Sequence, residues 1–192
     1  LPPPKLSPSR WGASFASELD FLARSCYGVA PMKTATDTRH TYRMGIIGNC
    51  AYMAYVDDTA NISWLCWPRF DSSFIFGGLL DGERGGHFWV RPADGSFESR
   101  QYYKENTNIL CTEFATSEGK FRVTDFAPRF QQHDRYYKPL MLVRKIEPLA
   151  GNPKVKVSCR PVGQYGELQP QVQTGSNHLR YAGLEKQVRL TT

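Results

Sequence analysis

From Tyr42 onward, the chain consists of short apolar runs that are separated by turn residues. The runs are rich in β-branched and aromatic residues, and they include HFWVRP, RQYYKE, LMLVRKI, KVKVSCRP, HLRYAG and VRLTT. Runs of about four to eight such residues between turn signals are typical of β-strands. Their spacing suits an antiparallel sandwich. We therefore predict an all-β fold.

The first hairpin is predicted within AYMAYVDDTANISWLCW, residues 51–67, where DDTAN supplies the turn. Strict alternation in its second arm predicts two opposite faces, and both carry apolar groups. One face has Ile62, Trp64 and Cys66, and the other has Ser63, Leu65 and Trp67. A second hairpin is predicted in TNILCTEFATSEGKFRVTDFAP, residues 107–128, around SEGK.

Between these hairpins lies SWLCWPRFDSSFIFGGLLDG, residues 63–82. Asp71 or Ser72 can cap a short helix that Gly82 ends. Pro68 fixes its own backbone angle and biases the preceding residue toward an extended shape. We therefore predict one short helix after the first hairpin, and a loop at 67–73 that is held between strand and helix.

Composition excludes several classes of function. The formal charge of +6 is spread out: residues 1–43 hold 6 basic and 3 acidic side chains and the rest of the chain 18 and 15, so we expect no nucleic-acid partner. No stretch approaches the roughly 20 apolar residues of a membrane helix, so we expect no membrane partner. Glu18, Asp20 and Arg24 stand where a secretory signal would have its apolar core, and we expect a cytoplasmic protein.

We predict no metal site and no cofactor. The five cysteines form no C-x-x-C pair, and the four histidines form no H-x-x-x-H pair. We expect the cysteines to be reduced and mostly buried. GIIG, residues 45–48, is too short for a dinucleotide-binding motif, and we expect its glycines to allow a close approach of backbone.

The two ends of the chain differ from its middle. Residues 1–41 open with the proline-rich LPPPKLSPSR and are predicted to be an extension that is partly disordered or helical. Met32 begins a polar run that suits a native start, so the residues before it are either an upstream extension or foreign to the natural protein. The final EKQVRLTT reads as a strand still being built, so we expect the domain, residues 42–192, to be incomplete.

The stretch IGNCAYMAYVDDTANISWLCWPRFDSSFIFGGLLD resembles the N-terminal domain of bacterial and archaeal enzymes of glycoside hydrolase family 15. These glucoamylase-like and trehalase-like enzymes share the pattern D-G-[ST]-I-x-W-[LM]-C-x-P-R-[FL]-D-S. YYKENTNILCTEFAT, GKFRVTDFAPR and CRPVGQYGE are further matches, and the resemblance spans about Tyr42 to Glu167. The chain departs from the pattern in having DDTA for the D-G turn and Trp67 where Leu or another apolar residue is common.

The resemblance implies a large antiparallel β-sandwich of the supersandwich type. In the family, this domain is joined to an (α/α)6 barrel that carries two catalytic glutamates and hydrolyses α-glucosidic bonds with inversion. Neither glutamate maps onto these 192 residues, so the resemblance implies a non-catalytic domain. Its expected partners are the barrel of the same polypeptide and an α-glucoside substrate.

Residues Trp67, Arg69, Phe70 and Asp71 are the candidates for contact with substrate. In one interpretation, this loop reaches the catalytic domain and helps to wall the sugar pocket. In the other, Arg69 and Asp71 form a structural ion pair. Three carboxylates, Asp71, Glu113 and Asp125, could in principle be catalytic, but a helix cap or ordinary ion pairs explain them better.

Two other functions stay open on the sequence alone. A stand-alone carbohydrate-binding module would need an exposed platform of two or three aromatic rings. A structural or interaction sandwich would use unpaired edge strands. Sugar titration of the chain separates these alternatives. The sequence leaves the particular α-glucoside and the oligomeric state undetermined.

Overall fold

The computed structural model of the protein describes residues 42–93 and 95–192. Residues Tyr42–Thr192 form one compact unit. The predictions made for residues 1–41, including the extension and the start at Met32, lie outside the described residues.

The described part of the chain is built from antiparallel strands, which confirms the all-β prediction. It contains one 3-10 turn and no α-helix. In chain order, the elements are β1 Met44–Gly48, β2 Met53–Asp57, β3 Asn61–Cys66, β4 Phe74–Phe76, β5 His87–Pro92, β6 Glu98–Tyr103, β7 Leu110–Ala115, β8 Gly119–Phe126, β9 Phe130–Gln132, β10 Arg135–Tyr137, β11 Val143–Gly151, β12 Val155–Arg160, the 3-10 turn Gln164–Gly166, β13 Gln171–Thr174, β14 His178–Ala182 and β15 Val188–Thr191.

The strands form two main sheets and two small ones. The first sheet has the order β1-β2-β3-β5-β12, with the short β4 also paired to β3. The second sheet has the order β11-β8-β7-β6. Strands β9 and β10 form a separate hairpin, and β13, β14 and β15 form a three-stranded sheet.

The inner faces of the two main sheets pack against each other, as expected for a sandwich. One buried cluster joins Ile47, Val56 and Ile62 of the first sheet to Leu110 of the second. A second cluster joins residues from both sides of the sandwich: Ala60, Val90, Phe114, Phe121 and Val123. Burial of this apolar area between two sheets is the main favourable term in folding such a domain.

A buried ion pair lies between the sheets. Nε and Nη2 of Arg144, in β11, donate to the two carboxylate oxygens of Asp125, in β8, at 2.8 and 3.0 Å. The same guanidinium donates to the carbonyls of Phe88 and Ala60 at 2.6 Å each, and its carbon lies 4.7 Å from the centroid of the Phe88 ring. Since Phe88 belongs to β5, the side chain of Arg144 hydrogen-bonds the second sheet to the first.

The β2–β3 hairpin is confirmed, but its predicted facing is wrong. Tyr55 pairs with Trp64 whereas Val56 pairs with Ile62, so Ser63 is an extra residue in a β-bulge. A bulge shifts the alternation by one residue. Ile62 and Leu65 therefore lie together in the core, although strict alternation placed them on opposite faces.

The predicted short helix after this hairpin is wrong, because the segment forms β4 and turns. Phe74 and Phe76 pair with β3, and all three residues of β4 are buried. An apolar Phe-Ile-Phe run that pairs with a neighbouring strand gains more from the sheet than from one helical turn. The side chain of Asp81, rather than that of Asp71 or Ser72, accepts hydrogen bonds from the turn that follows, at the backbone N–H groups of Glu83 and Arg84.

The glycines of GIIG allow a close approach, as predicted. A Cβ at Gly45 would overlap the side chain of Leu110 in the opposite sheet. A Cβ at Gly48 would lie 2.7 Å from the carbonyl oxygen of Tyr52. Gly45 therefore leaves room for Leu110 of the second sheet, and Gly48 leaves room for the backbone of the turn into β2.

Strand β1 ends the first sheet, and side chains from the second sheet bind its outer edge. The hydroxyl of Tyr103 accepts a hydrogen bond from the Ile46 N–H at 2.6 Å and donates one to the Ile46 carbonyl at 2.9 Å. The side-chain amide of Asn108 donates to the carbonyl of Gly48. These bonds connect the two sheets along one side.

The outer face of the second sheet carries charges of alternating sign. Arg100, Glu113, Arg122 and Glu147 lie opposite one another on β6, β7, β8 and β11. Opposite charges in cross-strand positions stabilise a sheet modestly and keep its outer face in water. This face is therefore a solvated surface, in contrast to the buried Arg144–Asp125 pair.

We predict that Asp125→Ala lowers the free energy of unfolding by about 3–5 kcal/mol, because it leaves the guanidinium of Arg144 buried without its carboxylate. The matched control is Glu113→Ala, which removes a partly exposed carboxylate from Arg122 and should cost about 1 kcal/mol. Urea unfolding at neutral pH measures both values. Equal losses in the two variants would contradict the role given to the buried pair.

Candidate functional site

The loop between β3 and β4, residues 67–73, is closed by its own backbone. The N–H of Trp67 donates to the carbonyl of Ser73 at 3.3 Å, and the N–H of Ser72 donates to the carbonyl of Arg69 at 3.3 Å. Inside the molecule, the indole of Trp67 packs edge-on against the ring of Tyr52, with centroids 5.2 Å apart. The loop is therefore anchored at its base, and its tip projects outward.

At the tip, Arg69 and Asp71 form a bidentate ion pair. Nε of Arg69 donates to Oδ1 of Asp71 at 2.9 Å, and Nη2 donates to Oδ2 at 3.2 Å. The two side chains are 75% and 71% exposed. An ion pair this exposed contributes little to stability, at most about 1 kcal/mol. The pair therefore lies at the surface of the loop tip, where another molecule can reach both side chains.

The loop tip forms one wall of an open cleft of about 750 Å³. The other walls are the turn after β12 and the turn between β14 and β15. In full, the lining residues are Arg69, Asp71, Ser72, Ser73, Gly163, Gln164, Tyr165, Leu168, Gly183, Leu184 and Glu185. The hydroxyl of Ser72 and the carboxylate of Glu185 meet across the cleft at 3.4 Å.

Of the four predicted site residues, two line the cleft and two do not. Arg69 and Asp71 line the cleft. Phe70 projects beside it with 53% of its surface exposed, but it is not among the lining residues. Trp67 packs on the hydrophobic core and lines a separate apolar cavity of about 350 Å³.

Sequence reasoning missed the turn of residues 163–166 as part of the site. Gly163 and Leu168 exchange backbone hydrogen bonds at 2.8 and 3.0 Å, which closes the turn at its base. Tyr165 at its tip is 71% exposed, and its ring meets that of Phe74 edge-on at 5.8 Å. The signal was present in GQYG, where two glycines flank an aromatic residue.

The other candidate carboxylates are held in ion pairs. Asp125 is fully buried against Arg144. Glu113 accepts hydrogen bonds from the hydroxyl of Tyr102 at 2.8 Å and from Arg122 at 2.8 and 3.0 Å, and these bonds lower its pKa. A low pKa suits a structural carboxylate, whereas a general acid needs a raised one. These two groups therefore follow the structural interpretation.

Within residues 42–93 and 95–192, no group of three or more histidine, cysteine or acidic side chains could hold a metal ion. The four cysteines in these ranges are free: Cys50, Cys66, Cys111 and Cys159. Burial raises the pKa of Cys66, and raises that of Cys159 to about 11. Cys50 is exposed, contrary to the general expectation for the cysteines. The described residues include no helix that is both long and apolar enough to cross a membrane.

Comparison with known proteins adds to this geometry. Residues 33–192 match the protein family described as "Trehalase-like, N-terminal". The chain belongs to this family. Both the β3–β4 loop and the cleft lie within the matched range, so the trehalase-like domain includes the whole candidate site.

Curated relatives of this trehalase-like domain carry the name Trehalase. Similar proteins include Trehalase of Thermoplasma volcanium, 33% identical over 66% of this chain and 20% of that protein. Trehalase 1 of Sulfolobus acidocaldarius is 42% identical over 44% of this chain and 15% of that protein. Trehalase of Mycolicibacterium smegmatis is 29% identical over 63% of this chain and 20% of that protein. The aligned part of the chain thus spans a fifth or less of each relative, and no solved structure matches it significantly.

We predict that Glu113 makes the trehalase-like domain sensitive to acid. The pKa of Glu113 is lowered by folding, so its stabilising effect is present above the ordinary value of 4.5 and is lost as the pH falls through the lower folded value. The fall in melting temperature between neutral pH and a pH below 4.5 should therefore be smaller for Glu113→Gln than for the unsubstituted chain.

Glu98→Gln is the control, because Glu98 is an exposed glutamate on the neighbouring strand β6. That variant should lose stability with acid as the unsubstituted chain does. If Glu113→Gln also follows the unsubstituted chain, the hydrogen bonds of Tyr102 and Arg122 do not lower the pKa of Glu113.

Proposed function

We propose that this chain is the non-catalytic N-terminal domain of an inverting α-glucoside hydrolase of the glucoamylase or trehalase type. In this proposal, it packs on the catalytic (α/α)6 barrel of the same polypeptide, and its β3–β4 loop walls the sugar pocket there. The observation that carries the proposal is the exposed bidentate pair of Arg69 and Asp71, at the tip of an anchored loop in a domain of this family.

The lengths of the relatives support the proposal that catalysis takes place in a domain other than this one. This chain aligns with 15% to 20% of the length of trehalases from archaea and bacteria, which leaves most of each relative for other domains. Inverting hydrolysis needs a general acid and a general base about 6.5 to 9.5 Å apart. Asp125, Glu113 and Asp71 are each engaged with an arginine, so we assign acid and base to the barrel.

The energetics of the loop favour recognition over stability. An ion pair in water adds little to the free energy of folding, so the exposed Arg69 and Asp71 can exchange this contact for one with a ligand. Sugar hydroxyls are well matched by charged groups whose geometry is fixed before binding. Arg69 and Asp71 would therefore orient an α-glucoside at the wall of the pocket, and the chemistry would take place on the barrel side.

We also propose a cytoplasmic location for the enzyme. The four described cysteines are free, and Cys50 is exposed. Free, exposed thiols persist in a reducing compartment. Fractionation of the native source, with detection of the enzyme, tests this location.

We predict that Arg69→Ala, in the enzyme that joins this domain to its barrel, lowers kcat/KM for trehalose or maltose about tenfold or more. Tenfold corresponds to about 1.4 kcal/mol of lost transition-state binding. The melting temperature should change little, because the pair is exposed. Lys145→Ala is the control, since it removes an exposed ion pair with Glu147 on the second sheet. If the Arg69→Ala enzyme is destabilised but fully active, the pair has a structural role and the proposed contact with substrate is wrong.

We predict that the 192-residue chain alone does not hydrolyse trehalose, maltose or starch. The reason is the proposed absence of an acid and base pair from this domain. Glucose release above a buffer blank is the measurement. Turnover that disappears in Asp71→Asn would place catalysis in this domain and overturn the assignment.

A further inference from the structure

The turn that carries Tyr165 has a left-handed backbone, a feature that it shares with the β9–β10 turn at His133 and Asp134. Gln164, Tyr165 and Gly166 all have positive φ, with values of 48°, 58° and 97°. Only glycine adopts this region without a steric penalty, and for a bulky residue it is an outlier. Two non-glycine residues in succession therefore cost the fold free energy. Backbone outliers of this kind cluster at functional sites.

The turn itself does not require an aromatic residue. Its closure depends on backbone hydrogen bonds between Gly163 and Leu168 and from the Gly166 N–H to the Gly163 carbonyl, at 2.8 to 3.0 Å. Asparagine or glycine at position 165 would make the same bonds with less strain. Most of the Tyr165 side chain lies in solvent, so its burial does not repay the cost.

The ring of Tyr165 borders the same cleft as the Arg69–Asp71 pair. Its contact with Phe74 is edge-on, at 5.8 Å and 81°, so the neighbouring ring steadies it without burying it. Glu185 and Gln164 add a carboxylate and an amide to the lining. The volume of about 750 Å³ lies in the range of small-molecule sites.

We propose that this cleft binds one hexopyranose unit of an α-glucoside, with the ring of Tyr165 against the apolar face of the sugar. Arg69, Asp71 and Glu185 would then bind its hydroxyl groups. A flat aromatic ring beside fixed charged groups is the combination that a pyranose requires, since its C–H face is apolar and its edge is polar. The inference rests on the proposed function for the choice of an α-glucoside, and adds a sugar subsite that belongs to this domain.

The test is a titration of the 192-residue chain with methyl α-D-glucopyranoside, followed by NMR chemical-shift changes. We expect saturable binding with a Kd of roughly millimolar, as is usual for a single small contact site. Tyr165→Phe retains the ring and should bind within about threefold of the unsubstituted chain, whereas Tyr165→Ala should bind at least about tenfold more weakly. Tyr136→Ala is the control, because Tyr136 is also exposed, at 63%, but lies on β10.

Tyr165→Asn separates binding from folding. Asparagine tolerates positive φ, so this variant should keep or raise the melting temperature while it loses sugar binding. A structural role for the ring would give the opposite result, a lower melting temperature with binding intact. The proposal is overturned by that result, by the absence of saturable binding, or by an equal loss in Tyr136→Ala.

These outcomes are distinct from a failure of the proposed function. The titration uses no barrel and no turnover, so a missing sugar site would leave the proposed packing and the assignment of catalysis to the barrel untouched. Conversely, an unchanged kcat/KM for Arg69→Ala in the enzyme with its barrel would contradict the proposed role of the loop at the catalytic pocket. It would not contradict a measured affinity of this domain for the sugar.

Discussion

The guanidinium of Arg144 is the interaction on which the arrangement of the two sheets depends. It comes from β11 of the second sheet, pairs with Asp125 of β8, and donates to carbonyls of Phe88 and Ala60 on the other side of the sandwich. Apolar packing alone is non-directional and would tolerate sliding of one sheet over the other. A buried charge that needs all of these acceptors at once admits a single alignment, because any other leaves donors unpaired at high cost.

The cleft is built from loops of the first sheet and of the three-stranded sheet. Two of its walls, the β3–β4 loop and the turn after β12, follow strands of the first sheet, and the third is the turn between β14 and β15 of the three-stranded sheet. Two of the walls are held at their base, the β3–β4 loop by Trp67 against Tyr52 and the turn after β12 by the Gly163–Leu168 hydrogen bonds. Loops that project from a rigid sandwich keep their tips in place, which is the condition for recognition of a small polar ligand.

Features that depend on residues close together in the sequence were predicted correctly, whereas features that depend on contacts between distant segments were not. The β2–β3 and β7–β8 hairpins follow from alternation and turn residues that are close in the chain, and both are present. The bulge at Ser63 and the strand at Phe74 depend on pairing with neighbouring strands, so local pattern predicted the wrong face and a helix. Arg69 and Asp71 were found from a motif, but Tyr165 lies about ninety residues further on, and only the fold brings it to the cleft.

The hydroxyl of Tyr103 has a consequence for association between molecules. By accepting from the N–H of Ile46 and donating to its carbonyl, it occupies both groups that an incoming strand would use. An edge with free groups of this kind is a template for another chain, and through it for aggregation. One phenol, with the side-chain amide of Asn108 at the carbonyl of Gly48, thus takes the place of a neighbouring strand along this edge of the first sheet.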